Sequence, residues 1–393
     1  MRILFIHNRY QQPGGEDVAV ELESQLLKDK GHDVRVLFFQ NSNPEGSVGK
    51  ITKGMRAIYD RNSYRVVKNE IEVFRPDVVH VHNFFYAASP SIFYAAKKMN
   101  VPAVLTLHNY RLICANALLL RHGQVCELCV NNLLPLAGIR YRCYHNSMAE
   151  SAFVTFVTST HKLIRTWDKN ISRLIVLTQF AQSRFVGSSI RVDEQKLFIK
   201  PNFIPDPGLG ETNREDFFLF VGRLSYEKGI DVLANAFAGL PTQKLVVIGD
   251  AADSQAEMAR FLDNSNITLK GRLNKDGVLA YMKRCKALIF PSTWYEGLPF
   301  VIIEAFATGT PVIASRLGSM AELVNDKLNG FLFEPGNVTD LQEKIHLFLQ
   351  TERQDRNALY ENARTTYVQN FSPEKHYQTI LTLYETVIAE KRF

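Results

Sequence analysis

Short uninterrupted runs of Val, Ile, Leu and Phe recur along the chain between longer amphipathic stretches: ILFIH at 3–7, VRVLFF at 34–39, VVHV at 78–81, AVLTL at 103–107 and LIVL at 174–177. A strand apolar along its whole length is covered on both faces, which is the condition of a parallel sheet with helices packed on each side. The rhythm restarts after PNFIPDPGLG at 201–210, whose three prolines and two glycines interrupt helix and strand alike. FFLFV at 217–221, LVVI at 245–248, ITL at 267–269, ALIF at 287–290 and VIA at 312–314 supply a second set. A chain of 393 residues exceeds one ordinary core. The pattern therefore predicts an α/β protein of two Rossmann-like doubly wound domains, 1–200 and 201–371. Ser372 before Pro373 reads as an N-cap and first helical residue, predicting a last helix within 372–393 that packs back on the first domain.

Charge is uneven. The first 200 residues carry 26 Lys and Arg against 16 Asp and Glu, and the rest 20 against 24. The basic half suits an anionic membrane surface, a phosphate-bearing acceptor or nucleic acid. Lys50, Lys53, Arg56, Arg61, Arg65 and Lys68, interleaved with Ile51, Met55, Ile58, Tyr59 and Val66, form either a solvated basic face or a face for anionic lipid. MRILFIHN lacks the regions of a secretory leader, and no run reaches the roughly 18–20 apolar residues that span a bilayer. The expectation is a cytoplasmic protein, with peripheral attachment at the inner face of a membrane.

Two segments of the second half carry the sharpest chemistry. In FVGRLSYEKG at 220–229, Arg223 and Lys228 stand on a loop leaving a strand, where a planar fork and a point charge can bind a diphosphate; a surface pair with Glu227 is the plainer alternative. In EGLPFVIIE at 296–304, Glu296 follows a strand and Glu304 falls inside the next helix. Ionised carboxylates only accept hydrogen bonds and so suit sugar hydroxyls, while the amides of Gly297, Leu298 and Phe300 can cradle phosphate. Gly14-Gly15 sits between the first strand and the first helix, where backbone can approach a phosphate. His80, His82 and His108 end strands at the same edge, where a histidine is a ligand, a base or a satisfied core residue.

Together these segments, with PVIAS at 311–315 and NGFLFEPGN at 329–337, resemble glycosyltransferase family 4, retaining enzymes of the GT-B fold, over nearly the whole chain. The resemblance implies two domains facing a central cleft, the first on the acceptor side and the second binding the nucleotide-sugar. It implies that Arg223 and Lys228 hold the donor diphosphate with Gly222, that Glu296 holds the transferred sugar and Glu304 the ribose, and that backbone near Arg272 and Leu273 meets the base. Gly14 and Gly15 then touch the donor phosphate, Glu16 or Asp17 the acceptor, and His108, with His82 second to it, the donor sugar, leaving His80 structural. Glu296, His108, Arg223 and Lys228 form the catalytic set. A glycan or lipid-linked acceptor is implied, as in envelope polysaccharide synthesis.

No Asp-x-Asp occurs, so the leaving diphosphate is expected to be met by Arg223, Lys228 and helix amides without a catalytic metal. No placed carboxylate nucleophile is evident, which favours front-face transfer over double displacement. Cys114, Cys126, Cys129 and Cys143, spaced C-x11-C-x2-C-x13-C, are either a structural zinc site or partly buried thiols; Cys285 reads as core inside a helix. A nucleotide-sugar epimerase of the same architecture is the first rival reading. A basic nucleic-acid-binding protein is the second, and no recognition motif supports it.

Overall fold

The computed structural model describes residues 1–9, 14–40, 56–85, 87–250, 261 and 264–391. Lys50, Ile51, Lys53 and Met55 of the basic stretch lie outside the described residues.

The chain divides into two compact units. The first comprises 1–119, 126–202 and 376–393, and the second 120–125 and 203–375. In the first unit β1 (Arg2–Arg9), β2 (Asp33–Gln40), β3 (Val78–Asn83), β4 (Ala103–Leu107), β7 (Arg173–Val176) and β8 (Leu197–Ile199) form one parallel sheet of order β2-β1-β3-β4-β7-β8. A short antiparallel hairpin, β5 (Leu120–Arg121) and β6 (Gln124–Val125), stands apart from it. The helix Pro373–Glu390 buries Ile380, Leu383, Tyr384 and Val387 against Ile3, Phe5 and Val78 of this sheet. Its start is capped, Ser372 Oγ accepting from the Lys375 amide at 3.4 Å.

In the second unit β9 (Phe218–Val221), β10 (Leu245–Ile248), β11 (Ile267–Leu269), β12 (Leu288–Phe290), β13 (Val312–Ser315) and β14 (Gly330–Phe333) run parallel in the order β11-β10-β9-β12-β13-β14. Two strands escaped the apolar-run reading. β8 has three residues behind a polar turn, and β14 is a four-residue run with glycine at its start, set between asparagines and a proline.

Each strand order reverses once, between β1 and β3 in one sheet and between β9 and β12 in the other. At such a switch the loops leave in opposite directions and open a crevice at the carboxyl ends of the strands. Both sets of candidate residues stand on those loops.

Candidate active site

In the second unit, β9 opens into the loop 222–229 and β12 into 291–299, and the two are stitched together. The Glu227 carbonyl accepts from the Thr293 amide at 2.9 Å and from Ser292 Oγ at 3.2 Å. Gly229, at φ 72°, passes so close to Pro291 that a Cβ would stand 1.9 Å from its carbonyl oxygen, so this turn requires glycine. The stitching brings Lys228 to Glu296. Lys228 Nζ donates to Glu296 Oε1 at 2.7 Å, and Ser292 Oγ and Trp294 Nε1 donate to the same oxygen at 2.7 and 2.9 Å. Oε2 of this buried carboxylate is left with no hydrogen bond among the described residues. Arg223 stands off, two-thirds exposed, with a long 3.7 Å contact to Glu227. The plainer surface-pair alternative is thus present as a weak contact, and Lys228 belongs to a different, buried pair.

The helix Phe300–Ala307 starts at Pro299 without a side-chain cap, and the Glu296 carbonyl is tied to Ser319 Oγ at 2.9 Å. Glu304 points from this helix with no hydrogen bond or ion pair among the described residues. Burial pushes its carboxyl up to about 7, and only Lys275 opposes that rise. At the neighbouring strand ends, a Cβ on Gly249 would lie 1.8 Å from the Gly222 carbonyl oxygen, and the Gly249 amide donates to Gly271 O at 2.9 Å. Arg272, exposed, and Leu273, partly buried, follow on the coil before the helix Lys275–Met282. Gly249 was missed in the sequence; its signal is a glycine directly after an all-apolar strand.

In the first unit, Gly14 precedes the helix Gly15–Asp29, and its amide is occupied, donating to Asp17 Oδ2 at 2.8 Å while Asp17 Oδ1 holds His7 Nε2 at 3.0 Å. Glu16 Oε1 accepts from Asn109 Nδ2 at 2.7 Å. His108 is joined to His82, Nε2 to Nδ1, at 3.0 Å. Burial, and then the charge of Lys200, draws His108 down to about 3, so it is neutral at pH 7. His80 is fully buried between Tyr384 OH at 2.6 Å and Thr106 Oγ1 at 2.7 Å.

Behind these histidines lies a buried centre that nothing local in the sequence announced. Glu23 Oε2 receives Lys200 Nζ at 2.5 Å and His376 Nε2 at 2.9 Å, and its Oε1 faces His80 Nδ1 at 3.1 Å and His82 Nε2 at 3.6 Å. Burial alone would raise the Glu23 carboxyl, but Lys200 and His80 more than offset it and hold it well below the usual range. Glu23, His80 and His82 are the described side chains whose metal-binding atoms gather within 4.8 Å. The Lys200 ammonium already neutralises the one carboxylate there, so the geometry fits an ion-pair network and not a metal centre.

No three of the four cysteines bring their sulfurs within 4.8 Å of one another, yet the structure gathers them: Cys114, Cys143 and Cys126 all add to the rise of the Cys129 thiol, after burial, to about 11. None is in a disulfide. Cys285 is fully buried but lies in the bend after the helix Lys275–Met282, not within it.

A basic loop and a buried acid–lysine pair stand at the switch point of one parallel sheet, and histidines line the switch point of the other, as expected of a glycosyltransferase of the GT-B fold. The model of the glycosyl transferases group 1 matches residues 206–366 and that of glycosyltransferase family 4 residues 13–205. The chain belongs to glycosyltransferase family 4, and this membership replaces the epimerase and nucleic-acid readings. It is 27% identical to an uncharacterized glycosyltransferase of Methanocaldococcus jannaschii over 98% of both chains. It is 26% identical to the UDP-Gal:alpha-D-GlcNAc-diphosphoundecaprenol alpha-1,3-galactosyltransferase of Escherichia coli, over 65% of this chain and 72% of that one. Among solved structures it is similar in fold to Anabaena HepE in complex with UDP and glucose, with a TM-score of 0.66 and 19% identity, covering 98% and 99% of the two chains.

Proposed function

We propose that this glycosyltransferase is a retaining hexosyltransferase that moves a sugar from a UDP-sugar to a glycan or lipid-linked acceptor, without a catalytic metal. The observation that carries the reading is the set of four residues at the β9–β12 switch point: Lys228 paired with Glu296, exposed Arg223 on the loop of Lys228, and Glu304 without a partner among the described residues. The uridine base and the lipid-linked acceptor are suggested by the ligand of HepE and the name of the Escherichia coli relative.

On this reading the second unit holds the donor. Arg223 and Lys228 take the diphosphate and stabilise its charge as it leaves, aided by the uncapped amides at the start of the helix Phe300–Ala307. Glu296 Oε2 accepts from the transferred sugar and Glu304 from both ribose hydroxyls, with Gly222, Arg272 and Leu273 backbone beside phosphate and base. The donor phosphate takes the acceptor's proton on the same face. The four cysteines are read as thiols that hold their insert together by packing.

A panel of nucleoside-diphosphate sugars tests this by thermal stabilisation and release of nucleoside diphosphate. A UDP-sugar is expected to raise the melting temperature and to be turned over equally well with a chelator present. Stabilisation by none of them, or turnover abolished by chelation and restored by a divalent ion, would overturn the reading.

A further inference from the structure

The helix Met148–Leu163 turns large apolar side chains outward while burying polar ones. Ser151, Thr155, Thr158, Ser159 and Lys162 are buried beside Val154 and Val157, Lys162 at 1% exposure, while Phe156 and Leu163 are 61% and 58% exposed. Part of the inward polar surface has a use. Ser151 Oγ accepts from the Tyr144 amide at 2.9 Å, and His161 joins Thr166 Oγ1 at 2.9 Å and the Ile58 carbonyl at 3.0 Å. These bonds tie down irregular chain on either side of the helix. The outward face has no such account. Met148, Ala152, Phe156 and Leu163 recur at helical spacing along one stripe, and Glu150 is the helix's one acidic residue.

The surroundings repeat the pattern. Among the described residues seventeen large apolar side chains are exposed, and eight lie between 128 and 164, so the outward apolar surface is concentrated in this insert. Residues 128–169 carry five Lys and Arg against one Glu and one Asp. Arg140, Arg142, Arg165 and Lys169 are exposed. A water-facing helix would turn its serines, threonines and lysine outward. An apolar stripe flanked by cations matches the acyl boundary and anionic headgroups of a bilayer.

We propose that the insert built on the helix Met148–Leu163 docks this protein on an anionic lipid surface, with Phe156 and Leu163 entering the acyl boundary. The proposal deepens the reading of a lipid-linked acceptor, but its test needs no turnover. The full chain is floated with vesicles of phosphatidylcholine alone or with about a third phosphatidylglycerol. It is expected to rise with the anionic vesicles, less so as salt increases. Phe156→Ser combined with Leu163→Ser should lower partitioning about tenfold or more, with an unchanged melting temperature, because both side chains are already in water. Arg140→Gln with Arg142→Gln should weaken binding to the anionic vesicles only. Wild-type protein that stays in solution, or a serine double variant that floats as well as wild type, would overturn the proposal. So would a serine double variant that turns a dimer into a monomer without changing flotation, since the face would then belong to a second copy. If no donor is turned over, the flotation result stands by itself.

Discussion

Glu304→Gln should make the protein more stable and a worse nucleotide binder at once. Burial holds the Glu304 carboxyl at about 7 against an ordinary value near 4.5. A raised carboxyl favours folding while it is protonated, so this contribution is full below about pH 4.5 and is lost as pH rises to about 7. The difference of about 2.5 units corresponds to about 3 kcal/mol. The amide cannot ionise, and it loses no partner because Glu304 has none among the described residues. Stability of the ligand-free variant should therefore exceed wild type at pH 8, by at most about 3 kcal/mol, and match it near pH 5. At about 2–4 °C per kcal/mol, a melting curve resolves this. Binding should move oppositely. Two ribose hydroxyls donating to an ionised carboxylate are worth about 1.5–3 kcal/mol each, and the amide retains one acceptor, so UDP affinity should fall about 10- to 150-fold at pH 8. Wild-type affinity should also weaken about tenfold between pH 8 and pH 6 as Glu304 takes up its proton. The Gln variant should show only the titration of the diphosphate itself. Calorimetry at several pH values reads both effects. A Gln variant that binds UDP like wild type, or that melts lower at pH 8, would refute the assignment; so would Glu296→Gln weakening UDP binding equally, since UDP carries no sugar for Glu296 to hold.

Lys228→Ala and Arg223→Ala should each lower kcat at least about 10²-fold. Only Lys228→Ala should also lower the melting temperature, because it strands the buried Glu296 carboxylate while Arg223 is two-thirds exposed; equal effects on stability would contradict the geometry. Glu23→Gln should cost about 3–5 kcal/mol in denaturant titration by leaving Lys200 buried without its anion, and Glu23→Gln with Lys200→Met should recover part of that loss. Recovery of nothing would show that the pair is not the unit that matters. Elemental analysis of purified protein should find less than stoichiometric zinc, and one tightly held ion per chain would show that the four sulfurs close around metal.

Pattern and punctuation alone gave the α/β class, the restart after 201–210 and most of the strands, because a strand covered on both faces must be apolar along its length. Arg223, Lys228 and Glu296 were visible for a related reason: each follows closely on a strand end, so local order already places it at the sheet's carboxyl edge, whereas Glu304, inside the helix Phe300–Ala307, was singled out by the likeness of EGLPFVIIE to family 4. Tertiary structure decided what those residues do to one another. Sequence offered Arg223 and Lys228 as equivalent cations, and only the seating of Gly229 against Pro291 drew Lys228 into a buried pair and left Arg223 in water. Glu23, Lys200 and His376 lie as far as 353 residues apart, and no periodicity links them until the sheet and the last helix close over them. The helix Met148–Leu163 shows the same limit from the other side. Only packing reveals that Ser151 and His161 turn inward beside Val154 and Val157 while Phe156 and Leu163 face out, because backbone groups of the neighbouring irregular chain must be hydrogen-bonded.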